Sequence, residues 1–427
     1  GAARAAMSRG LAGIDVICCH ALTPDEGLLA ICPNTEEVLI FELVGDGWQQ
    51  THCLTRHTMR VTGLSWSSSS TGGSRPRLAS CSEDRTAFVW EYDPGANVWR
   101  DNIVELAASR AALCVEWAPK GERFAVGLAS GDVGICWYNT EMNCWIAHKA
   151  GQSKASVISV AWHSTTSFLA SGSPDGRCVV YDVSEEHMLP KPRKPWGEVQ
   201  VMEEAGAWVN HVMFSPAGRW LAFFPQDNTA RVKDLSQGAS GPVTVVRWTG
   251  LPFLRGAFLN EKCFVACGFD CSPVLFRYDK DWELAGCIDV RLADSPLASR
   301  PRTPPVGALG DASAASSCFA KVRRRFGGSA VVAVGSAGGA GGAGGARAFG
   351  DRVPLGADDQ EAEQGASFAD MRRRFGAGGS AGGASEATSA RSAHFCAITG
   401  CAALTGSEGR PAGRERFSTS GLDGLVL

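Results

Sequence analysis

The sequence predicts an all-β protein built from repeated small sheets, and three features carry that prediction. Short stretches that alternate apolar and polar residues recur along the chain, as in half-buried strands. Four of these stretches share one pattern, and their starts lie about 45 to 52 residues apart. The 427 residues are 44% hydrophobic and 20% charged, which is typical of a globular protein rather than a disordered one.

The four clearest copies each alternate, end on an aromatic residue and then break into a polar turn: VTGLSWSS (61–68), ALCVEWAP (112–119), VISVAWHS (157–164) and VNHVMFSP (209–216). Each is followed by a second apolar strand, a turn that contains an aspartate, and a third strand. A more variable fourth strand completes the unit. This order predicts the blades of a WD40 β-propeller.

Weaker copies at 16–43, 254–279 and 395–427 bring the number of predicted blades to seven. Without 290–391, 325 residues remain, about 46 per blade. We therefore predict a seven-bladed WD40 β-propeller with blades one to six in 1–289 and the last blade in 392–427. Residues around Ser8–Ala12 should supply the outer strand of the last blade, because that closure removes exposed sheet edges.

The segment 290–391 is predicted to be an insertion between blades six and seven. Its stretch GSAGGAGGAGGARAFG (335–350) has too few large apolar residues to offset the entropy of ordering it. We expect a flexible, mostly disordered tether. A second irregular stretch, EEHMLPKPRKPWGEVQ (185–200), is expected to form an extended surface loop between blades four and five, because it is rich in proline.

The insertion carries two basic-aromatic octets, FAKVRRRF (319–326) and FADMRRRF (368–375). In each, three apolar residues fall on one face of a helix, with basic residues beside them. Ser367 and Asp370 fit a helix cap at the start of the second octet. The predicted partner-contact residues are Phe319, Val322, Arg324, Arg325, Phe326, Phe368, Met371, Arg372, Arg373, Arg374 and Phe375.

Isolated helices shorter than about 12–15 residues are marginal in water, so each octet is expected to fold against the groove of a partner. Other uses stay open from the residues alone. The octets could be solvated basic runs, could pack back on the propeller, or could serve nuclear import or RNA contact.

Catalytic and metal-binding patterns are missing from the sequence. It contains no G-x-S-x-G, no H-E-x-x-H and no G-x-x-x-x-G-K-[ST]. The sulfurs of CFVACGFDC (263–271) have no histidine near them in sequence, so buried packing is favoured over a metal site. We expect a protein that is not an enzyme and has no cofactor. The turn aspartates are interpreted as structural acceptors for backbone N–H groups: Asp84, Asp132, Asp175, Asp227, Asp270 and Asp423.

The overall charge and the cysteines indicate the compartment and the partners. A formal net charge of −3 provides no basic field for nucleic acid or an anionic membrane. No apolar run approaches the roughly 20 residues of a spanning helix. The sixteen cysteines scatter through strand-like runs, which favours free thiols in a reducing, intracellular compartment.

The order of motifs resembles one family, the WD-repeat p40/p41 subunit (subunit 1) of the actin-related protein 2/3 complex. Three short motifs make the resemblance specific, because blade geometry does not demand them: ICPN (31–34), PWG (195–197) and DCSPVLF (270–276). The longer matching stretches are CHALTPDEGLLAICPNTEEVLIFE, RHTMRVTGLSW, DRTAFVWE, SRAALCVEWAP, ERFAVGL, AWHSTTSFLASGSPDGRCVVYDV, KPWGE, WVNHVMFSPAGRWLAF and DCSPVLFRYD.

The resemblance implies a non-catalytic scaffold in the cytoplasm, at the actin cytoskeleton, that supports actin filament nucleation and branching. Its implied partners are the other subunits of the complex, actin and nucleation-promoting factors. The family carries an insertion before the last blade, with a basic-aromatic helix implicated in contacting actin, and the octets match that position. A WD40 adaptor outside the complex, in ubiquitin ligation or chromatin binding, is the alternative.

Three features depart from the family pattern. The basic stretch before the fourth blade is reduced to HKAGQSKASV (148–157). The insertion is longer than is usual and holds two octets instead of one. The sequence stops at GLVL (424–427), before an expected Trp-Asp pair, which predicts an incomplete C-terminus.

Overall fold

The computed structural model describes residues 9–10, 14, 16–45, 47–68, 76–165, 167–184, 196–288, 398–404, 416–421 and 425–426. By its internal contacts the chain divides into two units, Gly1–Ala298 with Ser389–Leu427, and Ser299–Thr388. All described residues belong to the first unit. The predicted insertion 290–391, with both octets and their eleven partner-contact residues, lies outside the described residues, as does Asp423.

The described strands form seven four-stranded blades in chain order. Blade one contains β2 (Cys19–Leu22), β3 (Leu28–Cys32), β4 (Val38–Val44) and β5 (Gly47–Leu54). Blade two contains β6 (Val61–Trp66), β7 (Leu78–Ser82), β8 (Ala87–Asp93) and β9 (Val98–Glu105). Blade three contains β10 (Ala112–Trp117), β11 (Arg123–Leu128), β12 (Asp132–Asn139) and β13 (Cys144–Gln152). Each blade is an antiparallel meander.

Blade four contains β14 (Ser159–Trp162), β15 (Phe168–Gly172), β16 (Arg177–Asp182) and β17 (Glu198–Glu204). Blade five contains β18 (Val209–Phe214), β19 (Trp220–Pro225), β20 (Thr229–Asp234) and β21 (Val243–Arg247). Blade six contains β22 (Phe253–Asn260), β23 (Cys263–Gly268), β24 (Val274–Tyr278) and β25 (Trp282–Cys287). The seventh contains β26 (Ile398–Leu404), β27 (Arg416–Gly421), β28 (Leu425–Val426) and the N-terminal β1 (Arg9–Gly10). A 3-10 segment, Leu235–Ser240, follows β20.

The ring closes through the N-terminal strand. β1 pairs antiparallel with β28, Arg9 opposite Val426 and Gly10 opposite Leu425. The inner strands β2, β6, β10, β14, β18, β22 and β26 follow one another around the centre, and β26 lies beside β2. The predicted seven-bladed all-β propeller is confirmed, and so is the prediction that residues near Ser8–Ala12 form the outer strand of the last blade.

The hydrophobic core lies between neighbouring blades. Five clusters each combine apolar side chains from two adjacent blades, from the first pair to the fifth. At the first of these joints the indole Nε1 of Trp66 donates to the carbonyl of Ala21, 3.0 Å away. Alternation along the strands creates this arrangement, because each blade must bury both of its faces.

Blades two and three are joined more tightly than the others. A short parallel pairing links their outer strands, with Trp145 opposite Val104 and Ile146 opposite Glu105. The two blades thereby become one eight-stranded sheet, β10-β11-β12-β13-β9-β8-β7-β6.

One part of the sequence prediction was wrong. The stretch 185–200 was expected to be a loop between blades four and five, but β17 begins at Glu198 and is the fourth strand of blade four. Val201 is buried and its neighbour Met202 is exposed, which is the alternation of a strand, and a shift in register lies between Val199 and Val201. Proline in the preceding residues made the whole stretch look irregular.

Strand direction defines two faces of the ring. We call one the aspartate face: it carries the turns between second and third strands, and the loops that lead from each outer strand to the next inner strand. Hydrogen bonds connect these turns and loops, as from the N–H of Glu83 to the carbonyl of Arg60 and from the N–H of Gln226 to the carbonyl of Trp208. No helix among the described residues has the length and apolar character that crossing a membrane would require.

Candidate functional site: the aspartate face and the central channel

The five predicted turn aspartates that the structure describes lie on the aspartate face, each in a different blade. Asp84 accepts hydrogen bonds from the N–H groups of Thr58 (2.8 Å) and Thr86 (2.9 Å). Burial opposes ionisation, but the bonds from Thr86 and Thr58 outweigh it and lower the pKa of Asp84. Asp175 and Asp227 accept from the N–H two residues ahead, at 3.1 and 3.2 Å.

The remaining described aspartates use other donors. Asp270 accepts from the N–H of Leu251 (2.6 Å) and the indole of Trp248 (2.7 Å). Asp132 accepts from the Ser130 hydroxyl (3.0 Å) and forms an ion pair with Lys149 (3.0 Å). Asp270 thus ties its turn to the loop before β22, and Asp132 ties its turn to β13, so both carboxylates are engaged in structural contacts.

Blade two contains a buried polar network that the sequence reasoning missed. His57, only 4% exposed, lies 3.1 Å from Asp84 through Nδ1 and 2.8 Å from the Ser80 hydroxyl through Nε2. The indole of Trp90 donates to the same hydroxyl at 2.9 Å. Burial lowers the pKa of His57, so the ring is neutral and the network runs Trp90 to Ser80 to His57 to Asp84. The sequence signal that could have predicted this network is the position of His57, four residues before β6 begins at Val61.

The central channel holds a cavity of about 620 Å³ between the inner strands. Side chains of the inner strands bridge neighbouring blades around it: Ser65 accepts from the N–H of Trp117 (3.1 Å), Glu116 from the N–H of Trp162 (3.5 Å) and Ser159 from the N–H of Val212 (3.1 Å). The channel wall is therefore also the set of joints between blades.

Three titratable groups of the channel, Glu116, Cys114 and His211, are shifted toward their neutral forms. Burial raises the pKa of Glu116 to about 8 and that of the Cys114 thiol to about 12. Burial, and then the charge of Arg255, lower the pKa of His211 to about 3. Both ring nitrogens of His211 are engaged, with Ser159 and with the carbonyl of Gly256 at 3.0 Å. These groups offer no activated nucleophile.

Metal binding finds no support in the described ranges, where no three histidine, cysteine or acidic side chains come together as a ligand set. All cysteines in those ranges are free thiols. Cys267, in the stretch CFVACGFDC (263–271), is fully buried and packs near Cys401 of the neighbouring blade.

A buried lysine connects blade five to blade four. Lys233 on β20 is 1% exposed, and its Nζ donates to the carbonyls of Ala239 (2.9 Å) and Gly241 (2.8 Å). It also forms an ion pair with Glu203 on β17, at 2.7 Å. All three ammonium donors are thus used, two of them to shape the segment after β20.

Exposed apolar side chains mark the surfaces that can meet a partner. Trp208, 55% exposed, and Met59 lie in loops of the aspartate face that belong to different blade joints. The exposed apolar residues of the outer strands are Val98, Ile103, Val199, Met202, Val245 and Leu284. The strands that flank the undescribed segment 289–397 also end and begin on the aspartate face, at Cys287 and Ile398.

Known proteins share this repeat and this architecture. The family model described as WD domain, G-beta repeat, matches residues 48–91, and that of the anaphase-promoting complex subunit 4 WD40 domain matches 115–202. Actin-related protein 2/3 complex subunit 1A-A of Xenopus laevis is 34% identical over 282 residues, which cover 64% of this chain and 74% of that protein. Subunit 1A of Arabidopsis thaliana is 34% identical over 273 residues (62% and 70%), and subunit 1 of Schizosaccharomyces pombe 28% over 268 residues (60% and 70%).

Proposed function

The chain belongs to the actin-related protein 2/3 complex subunit 1 family, and we propose that it is a non-catalytic propeller scaffold of that complex, supporting actin filament nucleation and branching. The observation that carries the proposal is the closed seven-bladed ring, matched over most of its blades by relatives with that name. A closed ring of sheets keeps its loops in fixed positions, which suits a subunit that must hold several partners in one geometry.

The proposed partners are the other subunits of the complex, actin and nucleation-promoting factors, in the cytoplasm at the actin cytoskeleton. The test is affinity purification of the tagged full chain from its own cells, followed by mass spectrometry. Co-purification with the actin-related subunits in constant stoichiometry is expected.

The match of 115–202 to a WD40 domain of the anaphase-promoting complex favours the second candidate, an adaptor outside the complex. Co-purification with cullins or histones, and without the actin-related subunits, would support this adaptor function instead.

Trp208 is the proposed contact residue on the described surface. Its large side chain is more than half exposed on the aspartate face, and tryptophan is over-represented among residues that dominate interface energies. Trp208→Ala should leave the fold intact and weaken retention of a neighbouring subunit or of actin by about tenfold or more. Met142→Ala, at an exposed residue in the turn between β12 and β13, away from the aspartate face, is the matched control. If Trp208→Ala retains the neighbouring subunit and actin as well as the control variant does, Trp208 does not contribute to the interface.

We propose the domain organisation 1–289 with 392–427 as one propeller and 290–391 as a connecting insertion. The two parts of the propeller pair only when the last blade closes on β1. Limited proteolysis should cut between about 295 and 390 and leave one nicked particle that stays associated without denaturant. Deletion of 300–390 should hardly change the unfolding temperature, because loop length costs little entropy. Separation of the fragments, or a large drop in unfolding temperature, would contradict this organisation.

The octets are proposed to be actin-contacting helices. Their aromatic stripe should then supply most of the affinity, at roughly 1.5–3 kcal/mol per buried large apolar side chain, and the arginines mainly the association rate and its salt dependence. In a branching assay with reconstituted complex, Met371→Ala with Phe375→Ala should reduce activity more than Arg373→Ala alone, since an exposed ion pair contributes about 0–1 kcal/mol.

Two octets on one segment predict redundancy. Variants in a single octet should be mild and the combination severe, because either copy could bind. The combined variant adds Val322→Ala and Phe326→Ala to the two changes in the second octet. Wild-type branching by the combined variant, in a complex with normal subunit content, would return both octets to the role of solvated linker.

A further inference from the structure

Arg255 is a cation in the central channel whose charge the described protein does not neutralise. It lies on the inner strand β22, and its Nη1 donates to the carbonyls of Asn210 (3.1 Å) and Leu254 (3.0 Å). Within the described part of the chain, Nη1 is the only guanidinium nitrogen with a hydrogen bond, and no carboxylate comes within ion-pair distance of it. A guanidinium has five N–H donors, so most of them are available to a ligand.

The neighbouring groups in the channel do not supply the missing charge. Arg255 lines the cavity together with the thiols of Cys19 and Cys114, which come from the first and third blades. Burial keeps the pKa of Cys114 near 12, and Cys19 is likewise shifted upward, chiefly by its bond with Cys32, so both stay protonated. Glu116, which also lines the cavity, is held neutral by burial, with a pKa of about 8.

A charge in such a position is costly unless something pairs with it. Arg255 is half-buried in the channel, and partial loss of its hydration favours pairing with an anion, since arginine does not lose its proton to escape the charge. The planar guanidinium fork matches the two oxygens of an oxyanion, and such bidentate, charge-assisted bonds are among the strongest in proteins. The cavity of about 620 Å³ has ample room, since one water occupies about 30 Å³.

We propose that the central channel binds a small oxyanion of the phosphate or sulfate class at Arg255. The site differs from the surfaces assigned to protein partners, because it lies inside the ring of inner strands. Its occupant would bridge blade six to the opposite blades and so act on the rigidity of the whole propeller.

The test is calorimetric titration of the full chain with inorganic phosphate, pyrophosphate and sulfate, at constant ionic strength against chloride. Saturable one-to-one binding is expected. Arg255→Gln should weaken it by at least about tenfold, whereas Arg247→Gln, at an exposed arginine on β21, should leave it unchanged. Inositol hexakisphosphate is the arm that separates a free inorganic anion from a phosphate carried by a larger molecule. Tighter binding of this compound, with the same loss in Arg255→Gln, would support the site and identify the larger ligand.

Arg255→Lys covers the case in which Arg255→Gln fails to fold, because it keeps a cation but removes the bidentate fork. Weaker oxyanion binding by the folded lysine variant is expected, and unchanged affinity would overturn the assigned contact. Absence of saturable binding to the wild-type chain, or equal affinity in a folded Arg255→Gln variant, would overturn the proposal.

Discussion

Blades two and four have the same strand order, yet they are held together in different ways. In blade two His57 is long enough to reach both Asp84 and Ser80, so one continuous network runs from the turn to Trp90. In blade four the residue at the position of His57 is Ser153. Its hydroxyl reaches the turn, at 2.9 Å from both Asp175 and Ser173, and goes no further.

A second pair of polar residues in blade four is not connected to Ser153. Ser171 and Tyr181, at the positions of Ser80 and Trp90, bond to each other, and burial raises the pKa of the Tyr181 hydroxyl. The outer strand of this blade receives support from outside instead, through the ion pair of Glu203 with Lys233 of blade five. Both blades therefore form through alternation and inter-blade packing, and their buried polar networks set how firmly each one is held.

The largest effect is expected where blade four depends on its neighbour. Lys233→Met should lower the free energy of unfolding by about 3–5 kcal/mol, because it leaves Glu203 and the carbonyls of Ala239 and Gly241 without their buried donor. Urea unfolding monitored by tryptophan fluorescence measures this. Lys262→Met, at a turn between β22 and β23, is the control. A loss below about 1 kcal/mol would show that blade four holds itself.

The next effect tests blade two itself. His57→Ala should cost about 2–4 kcal/mol, since Asp84 and Ser80 both lose a buried partner. Ser153→Ala in blade four should cost about 1 kcal/mol, because it removes one half-buried hydroxyl. Equal losses in the two variants, by the same unfolding measurement, would remove the distinction between the two blades.

The joints that lie between these blades should differ in their response to pH. Ser65 links blades two and three, and Glu116 links blades three and four. The folded-state pKa of Glu116, about 8, exceeds the ordinary 4.5, so the folded chain holds one extra proton between those values. Stability from this group is therefore complete below about pH 4.5 and falls as pH rises to about 8.

Glu116→Gln should remove that pH dependence and raise the free energy of unfolding at pH 8.5 by about 1–2 kcal/mol. This is less than the free energy that the whole pKa shift of Glu116 corresponds to, because water in the channel partly solvates the carboxylate. Ser65→Ala is the control and should lower stability equally at all pH values. The measurement is the unfolding midpoint from pH 5 to pH 9. An unchanged slope in Glu116→Gln would mean that the carboxyl is ionised in the folded chain.

The smallest effect comes from giving blade four the histidine of blade two. Ser153→His could bridge Asp175 and Ser171, but it gives up the existing 2.9 Å bond to Asp175. The change in stability should stay within about 1 kcal/mol. An NMR titration should find the pKa of the new imidazole below its usual value if it is buried as His57 is. A normal pKa would show that the ring turns out to solvent, and that the loop before β14 excludes it.

The blade count and the positions of most strands could be predicted from the sequence, because alternation with period two is a local property. Closure by residues around Ser8–Ala12 was predicted from the need to cover exposed sheet edges, and Arg9–Gly10 forms that strand. The turns at Asp84, Asp175 and Asp227 were also predictable, since each of these carboxylates accepts from the N–H two residues ahead. The sequence prediction misplaced β17, where proline in the preceding residues obscured a strand that pairs with β16.

Other features depend on contacts between distant parts of the chain. His57 meets Ser80 across 23 residues, and Arg255 bonds to Asn210 across 45, so neither contact has a short-range signature. The neutral state of Glu116 and the uncompensated charge of Arg255 depend on burial inside a ring that exists only when all seven blades have closed. Burial is a sum over distant parts of the chain, and no local window of residues contains that sum.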